Sequence, residues 1–255
     1  MKKVSTLADV KEPAHGVAAL DRAVAILNAF TTVDRSLSLA EIAARTGLYK
    51  STILRLAASL TRAHLLERLD NGHYRIGVTA FRLGTLYQRS FAPADVLLPI
   101  MRNLSSESGE SVAFYARTGD MRTCLYRVES AHPIRYHVNE GDVLPLTSGS
   151  GGRVINAFSG AEGEPYESIR AVYYFISIGD RDPDTAGLSA PVFGPGRSLV
   201  GALTLAGPRS RLDARRLADV KPALLRAAAR ATRAFGEDAS RLELAASCIL
   251  HHTRD

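Results

Sequence analysis

Apolar residues recur at three- and four-residue spacing through the first third of the chain, then give way to alternating runs of strand type. The first periodic stretch, Val17 to Phe30, predicts a helix with Leu20, Val24 and Leu27 as its core stripe. After the turn TTVDRS, Ser38 stands at an N-cap and Glu41 follows three residues later, as in a capping box. Leu39, Ile42 and Ala43 continue at helical spacing, and Gly47 closes that helix as a left-handed residue. Tyr49 to Ala63 predicts a longer helix carrying Ile53, Leu56, Ala57 and Leu60 on one face. Leu65 to Leu69 and His73 to Ile76 predict two short strands joined through Asp70-Asn71-Gly72, where Asn-Gly favours a type I′ hairpin. Val78 to Gln88 predicts a further helix with Phe81 and Leu86 apolar, weakened by Gly84. Helix, tight turn, longer helix and hairpin together are the layout of a winged helix-turn-helix, which sets its second helix in the DNA major groove.

Beyond Pro93 the pattern predicts a helix from Ala94 to Glu107 and strands at Ser111–Arg117, Thr123–Val128 and Ile134–Val138. A glycine-rich run from Leu146 to Gly152 leads into a helix from Arg153 to Phe158. Strands at Gly187–Phe193 and Leu199–Ala206 meet through Gly194-Pro195-Gly196. A long helix from Ala214 to about Phe235, interrupted near Pro222, closes the pattern. The expected class is α+β: an N-terminal winged helix-turn-helix and a C-terminal domain built on one antiparallel sheet, joined by a linker helix. The expected boundaries are a flexible tail over 1–14, the reader over 15–77, the linker helix over 78–92 and an effector-binding domain over 93–255.

Charge sharpens this division. Residues 1–89 hold 13 Lys and Arg against 7 Asp and Glu, whereas residues 90–255 hold 19 of each. The whole net charge of +6 therefore lies in the segment with the reader layout, as phosphate neutralisation requires. At 46% hydrophobic residues the chain has material for a core, which excludes a disordered tail protein. No apolar run approaches the roughly 20 residues of a membrane span, and no signal peptide is visible, so cytoplasmic residence without a membrane partner is expected. Cys124 and Cys248 form no CxxC pair, and Cys124 reads as a buried, inert thiol in mid-strand. GSGGR is not a P-loop and no GxSxG elbow is present. His132, His137 and the His251-His252 pair lack metal-ligand partners at useful spacing. No cofactor, no metal and no catalytic residue is expected.

The DNA-contacting candidates cluster at the start of the second reader helix. Ser51 and Arg55 suit phosphate, and Tyr49, Lys50 or Thr52 suit base edges, although Ser51 and Thr52 equally suit simple helix capping. Ser38 at the preceding N-cap completes the set with His73 and Arg75 on the wing, which suit either DNA contact or a solvated strand face. In the second domain, Thr147, Ser148, Ser150, Gly151 and Gly152 open a helix with small residues, which reads either as an anion seat of free N–H groups for a carboxylate effector or as an ordinary tight turn into a helix. Tyr126 and His137 cannot be phased between cavity and surface, and Arg211, Arg215 and Arg216 read as a solvated helix start.

Five segments resemble the IclR-type bacterial regulators in the same order: HGVAALDRAVAILNAF, LAEIAARTGLYKSTILRLAASL, DNGHYRIGVTAFRLG, GDVLPLTSGSGGRVINAF and ISIGDRDPDTAGLSAPVFGPGRSLVGALTLAGPRSRL. The resemblance spans nearly the whole chain. It implies a GAF-like effector domain, a homodimer or homotetramer, and control of nearby genes by a small molecule, often an organic or aromatic acid. It also implies that Ser177, Asp180 and Ser189 line the effector cavity. A dimer would read a pseudo-palindromic double-stranded operator. Three positions depart from the family pattern: Tyr49 where Pro is usual, Ala63-His64 where a glycine is common, and Arg153 where lysine often stands. The alternative is a small-molecule-binding or enzymatic module whose basic N-terminal domain is a protein-interaction unit. An architectural DNA binder with a vestigial cavity is a third reading.

Overall fold

Side-chain spacing at the N-terminus builds three helices around one small core. The computed structural model describes residues 17–31, 33–91, 93–133 and 138–247. The chain divides between Tyr87 and Gln88 into two compact units. In the first, α1 (Ala18–Asn28), α2 (Leu39–Thr46) and α3 (Lys50–Arg62) precede strands β1 (Leu66–Arg68) and β2 (Tyr74–Ile76) and the helix α4 (Val78–Phe91). Ile26, Leu37, Ile42, Ile53, Ala57, Leu60, Leu66 and Tyr74 form the buried centre. The capping box is complete: Glu41 N–H donates to Ser38 Oγ at 3.2 Å, and Ser38 N–H donates to Glu41 Oε2 at 2.7 Å. Gly47 ends α2 at φ +69°.

Two expectations are corrected here. In α1 the core stripe is Ala23, Ile26, Leu27 and Phe30, while Leu20 is 62% exposed and Val24 is half-exposed. The sequence holds two overlapping apolar stripes that share Leu27, and packing against α3 and α2 selects the one centred on Ile26. The wing turn is a three-residue loop instead of a type I′ turn. Gly72 N–H donates to Leu69 O, Leu69 N–H donates to His73 O, and Gly72 alone takes positive φ (+81°). Asn71 Oδ1 accepts from His73 N–H at 3.0 Å, so its side chain fixes the loop while its backbone stays at negative φ. His64 sits at φ +55°, filling the left-handed position left by the missing glycine.

The second unit contains α5 (Pro93–Ser108), β3 (Ser111–Thr118), β4 (Met121–Val128), β5 (Val143–Pro145), α6 (Gly149–Phe158), α7 (Tyr166–Val172), β6 (Phe175–Ile178), β7 (Thr185–Gly194), β8 (Ser198–Pro208), α8 (Ala214–Ala234) and α9 (Ser240–Ser247). A six-stranded antiparallel sheet runs in the order β5-β4-β3-β8-β7-β6. One face packs on α5 and α8 through Phe114, Leu188, Leu203 and Leu224, with α9 lying against α8. The other packs on α6 and α7 through Tyr115, Cys124, Ile155 and Ile169.

Several details of this domain differ from the sequence expectation. The sheet uses Val143–Pro145, while Ile134–His137 of the expected strand lies outside the described residues, as do the tail over 1–14, Cys248 and His251-His252. The helix α6 begins at Gly149, four residues before Arg153, and α8 runs unbroken through Pro222. The elements α7, β6 and α9 went unpredicted, because each is short and only a few of its residues are buried. A bulge explains Tyr126: Tyr115 pairs with Cys124 and Phe114 with Tyr126, leaving Leu125 unpaired. Cys124 therefore faces α6, while Tyr126 faces the opposite core beside Phe114. Burial pushes the Cys124 thiol up to about 12, so it is no nucleophile. The arginines before and within α8 are not all solvated. Arg211 grips the buried Glu110 carboxylate at 2.7 and 2.8 Å, and Arg216 donates to Ser108 O at 2.9 Å. No described helix is long and apolar enough to cross a membrane.

Candidate nucleic-acid interface and effector cleft

The helix α3 buries Ile53, Ala57 and Leu60 and so turns Lys50, Ser51, Leu54, Arg55, Ala58, Ser59 and Arg62 outward. No residue of α3 is acidic. Its N-cap is Tyr49, extended and 85% exposed, with no side-chain capping bond. Ser51 and Thr52 therefore do not cap the helix. Ser51 is exposed and Thr52 half-buried, both in the first turn where free N–H groups point outward. Ser38 is committed to the capping box. On the wing, Arg75 donates through Nε and Nη2 to its cross-strand partner Glu67 at 2.9 and 2.8 Å, which neutralises its charge locally. His73 Nδ1 lies 3.5 Å from Ser36 Oγ. Arg45 ties α2 to the preceding turn through Asp34 and Ala29 O, holding the Asp34 carboxyl well below the usual carboxylate range.

In the second unit, Ser150, Gly151, Ser177 and Asp180 converge on a cleft of about 30 Å³ at the N-terminus of α6. That is room for about two waters. The N–H groups expected to await a ligand already have partners. Gly149 N–H donates to Asp180 Oδ2 at 2.8 Å, and Ser150 N–H donates to Ser177 Oγ at 3.0 Å. Arg153 reaches Asp180 Oδ1 at 3.4 Å. Ser189 lies fully buried beneath, donating to Ser150 Oγ at 2.7 Å with Thr204 Oγ1 also at 2.7 Å. Gly152 is buried behind the cleft, and Thr147 and Ser148 do not line it.

Arg122 is among the lining residues that the sequence reading missed. It is buried, donates through Nη1 to Pro145 O and to Ser148 O, and stacks over the Tyr115 ring at 5.2 Å. Alternation along β4 was the available signal, since Arg122 shares the parity of buried Cys124. Arg181 and Thr185 also line the cleft. Two larger grooves of about 440 and 500 Å³ lie along α8–α9 and α7–α9. Neither gathers a set of buried polar groups, so the small cleft has the stronger chemical claim. His137 lies outside the described residues.

Residues 19–70 match the family model of the IclR helix-turn-helix domain, and residues 91–166 match that of the bacterial transcriptional regulator IclR C-terminal domain. The chain is 25% identical to the transcriptional repressor IclR of Escherichia coli over 253 residues, covering 88% of this chain and 92% of that one. It is 24% identical to the HTH-type transcriptional regulator KipR of Bacillus subtilis over 221 residues, or 77% of this chain and 88% of that one. Its fold is similar to that of an IclR homologue from Microbacterium hydrocarbonoxydans solved with 4-hydroxybenzoate. That match has a TM-score of 0.69 at 19% identity and covers 85% and 100% of the two chains.

Proposed function

The chain belongs to the IclR family of bacterial transcriptional regulators, and from that premise we propose that α3 reads a pseudo-palindromic operator while the α6 cleft senses a small organic acid. It is an effector-modulated DNA-binding regulator and not an enzyme. The observation that carries the DNA reading is the face of α3, with three cations and no carboxylate, on the unit that holds five of the chain's six net positive charges. Ser51 and Arg55 hold phosphates there, and Tyr49, Lys50 or Thr52 reaches base edges. Ser38, His73 and Arg75 play lesser parts, because each already has a partner within the chain. A homodimer, alone or paired into a tetramer, brings two α3 helices to half-sites about one helical turn apart or a multiple of it. Apolar side chains left outward on α1 and α4, among them Leu20 and Phe81 (77% exposed), support contact with a second copy. DNA binding makes the cytoplasm the place of action. The linker helix α4 joins the reader to the effector domain and passes the effector signal between them.

Anisotropy on the chain's own upstream DNA, with an unrelated duplex as competitor, tests this reading. A preference of about 10³-fold or more is expected, and equal binding to both duplexes overturns it. In the same assay Arg55→Ala is expected to weaken binding to every duplex and flatten the slope of log affinity against log salt by about one unit per protomer. An unchanged slope removes Arg55 from the phosphate contacts.

For the effector, the chemistry at α6 favours an anion. The helix N-terminus already holds a carboxylate, that of Asp180, with Arg153 beside it and Arg122 buried in the wall. The carboxylate of an acid such as the 4-hydroxybenzoate of the Microbacterium homologue takes the place of Asp180, whose displacement has to widen a cleft that otherwise holds about two waters. Ser150, Gly151 and Ser177 line it, with Ser189 beneath, Gly152 behind, and Thr147 and Ser148 at the margin. Asp180→Asn replaces that competing charge with a weaker acceptor. The concentrations of benzoate and 4-hydroxybenzoate needed to shift DNA binding are expected to fall several-fold in this variant. A rise would mean that Asp180 itself holds the effector.

A further inference from the structure

The outward face of α3 is not uniformly polar. Lys50, Leu54 and Ala58 stand four residues apart in one row, and all three are exposed. Leu54 is 46% exposed, and unlike its neighbours Leu48 and Leu56 it is not packed against the reader core. Ser51 and Arg55 flank it on the same outward face. An apolar side chain in that place has no role in holding α3 to its own domain, because Ile53, Ala57 and Leu60 do that from the opposite side.

Placed in a major groove, this row meets base edges that are donors or acceptors at every position but one. The exception is the C5-methyl group of a pyrimidine, which thymine carries and cytosine carries only when methylated. Against any other edge, Leu54 and Ala58 would strip water from polar groups and give them no partner in return. Resting on the reading of α3 as the recognition helix, we infer that Leu54, backed by Ala58, is a specificity-determining residue that selects a pyrimidine C5-methyl in each half-site. Lys50 one turn earlier and Arg55 beside it set the register of the row by their own contacts with DNA. Leu54 prefers the methylated pyrimidine because contact then removes the methyl from water, whereas the bare C5–H of an unmethylated one offers it less apolar surface to cover.

The test uses the full-length protein and a randomised duplex pool, from which the protein itself selects its site. The bound site is resynthesised with deoxyuridine at each thymine in turn, and titrated with wild type and Leu54→Ala. Deoxyuridine pairs as thymine does and lacks only the methyl. The expected result is a loss of about fourfold at one position of each half-site for wild type, the effect of one methyl group no longer removed from water. The loss should be absent in Leu54→Ala. A parallel arm with 5-methylcytosine at the selected cytosines separates the two methyl sources: a gain there, with no effect of deoxyuridine, assigns the methyl to methylated cytosine and still supports Leu54. A selected site indifferent to methyl groups in both arms overturns the inference while leaving the regulator reading intact. An equal loss in wild type and variant also overturns it, because another residue then reads the methyl. If no sequence is selected at all, the recognition-helix reading fails and the inference fails with it.

Discussion

Ile53→Ala is expected to abolish operator binding without removing a single DNA contact. Ile53 is fully buried at the meeting of α1, α2 and α3, in a core of nine buried apolar residues. A unit of this size is marginal, since it buries a smaller share of its surface than a larger domain does. Deleting a buried isoleucine to alanine costs about 2–5 kcal/mol, a large part of what a domain of some 70 residues has to spare. Urea unfolding followed by circular dichroism should show the reader transition moved to much lower denaturant. The neighbouring Leu54→Ala should stay within about 0.5 kcal/mol of wild type, because its side chain leaves no cavity. If Ile53→Ala proved as stable as wild type yet silent on DNA, the inward and outward faces of α3 would have to be exchanged.

The same contrast explains what the sequence disclosed. The α2–turn–α3 segment was legible because its signals agree: a capping box at Ser38 and Glu41, a left-handed glycine at 47, and an apolar stripe with one phase. The helix α1 was harder, for its two stripes differ by a small rotation and only packing against α3 and α2 decides between them. In the sheet domain, parity fails wherever a bulge intervenes. Leu125 shifts Tyr126 to the face opposite Cys124, and no rule of alternation anticipates that. The cleft was found in outline through Ser150, Gly151, Ser177 and Asp180, yet the state of its N–H groups was not. Whether a helix N-terminus is empty or answered by a carboxylate 31 residues away depends on the fold, and Asp180 answers it here. Arg122 escaped because an arginine in a strand reads as solvated until the loop carbonyls that it satisfies are in place.

Gly152→Ala is the second large effect, and it runs against helix propensity. Inside a free helix, alanine is favoured over glycine by about 1 kcal/mol. Gly84 in α4 illustrates that sign: nothing lies within 4 Å of a Cβ there, so Gly84→Ala should stabilise the chain modestly. At Gly152 a Cβ would stand 2.5 Å from Leu146 O and 2.8 Å from Leu146 C, with Arg122 Nη1 at 2.4 Å. The guanidinium can swing aside, but the backbone of Leu146 belongs to the loop that feeds α6 and cannot yield without moving the helix. Overpacking of this kind costs about 1–3 kcal/mol, which outweighs the propensity gain. Lifting α6 also parts Arg122 from the carbonyls of Pro145 and Ser148 and moves the N–H groups that hold Asp180 and Ser177. Gly152→Ala should therefore lower the unfolding midpoint of the effector domain and blunt any response to organic acids, while the reader unit keeps its intrinsic affinity for DNA. The opposite signs expected of one substitution at two helical glycines make the contact geometry, and not the residue type, the quantity under test.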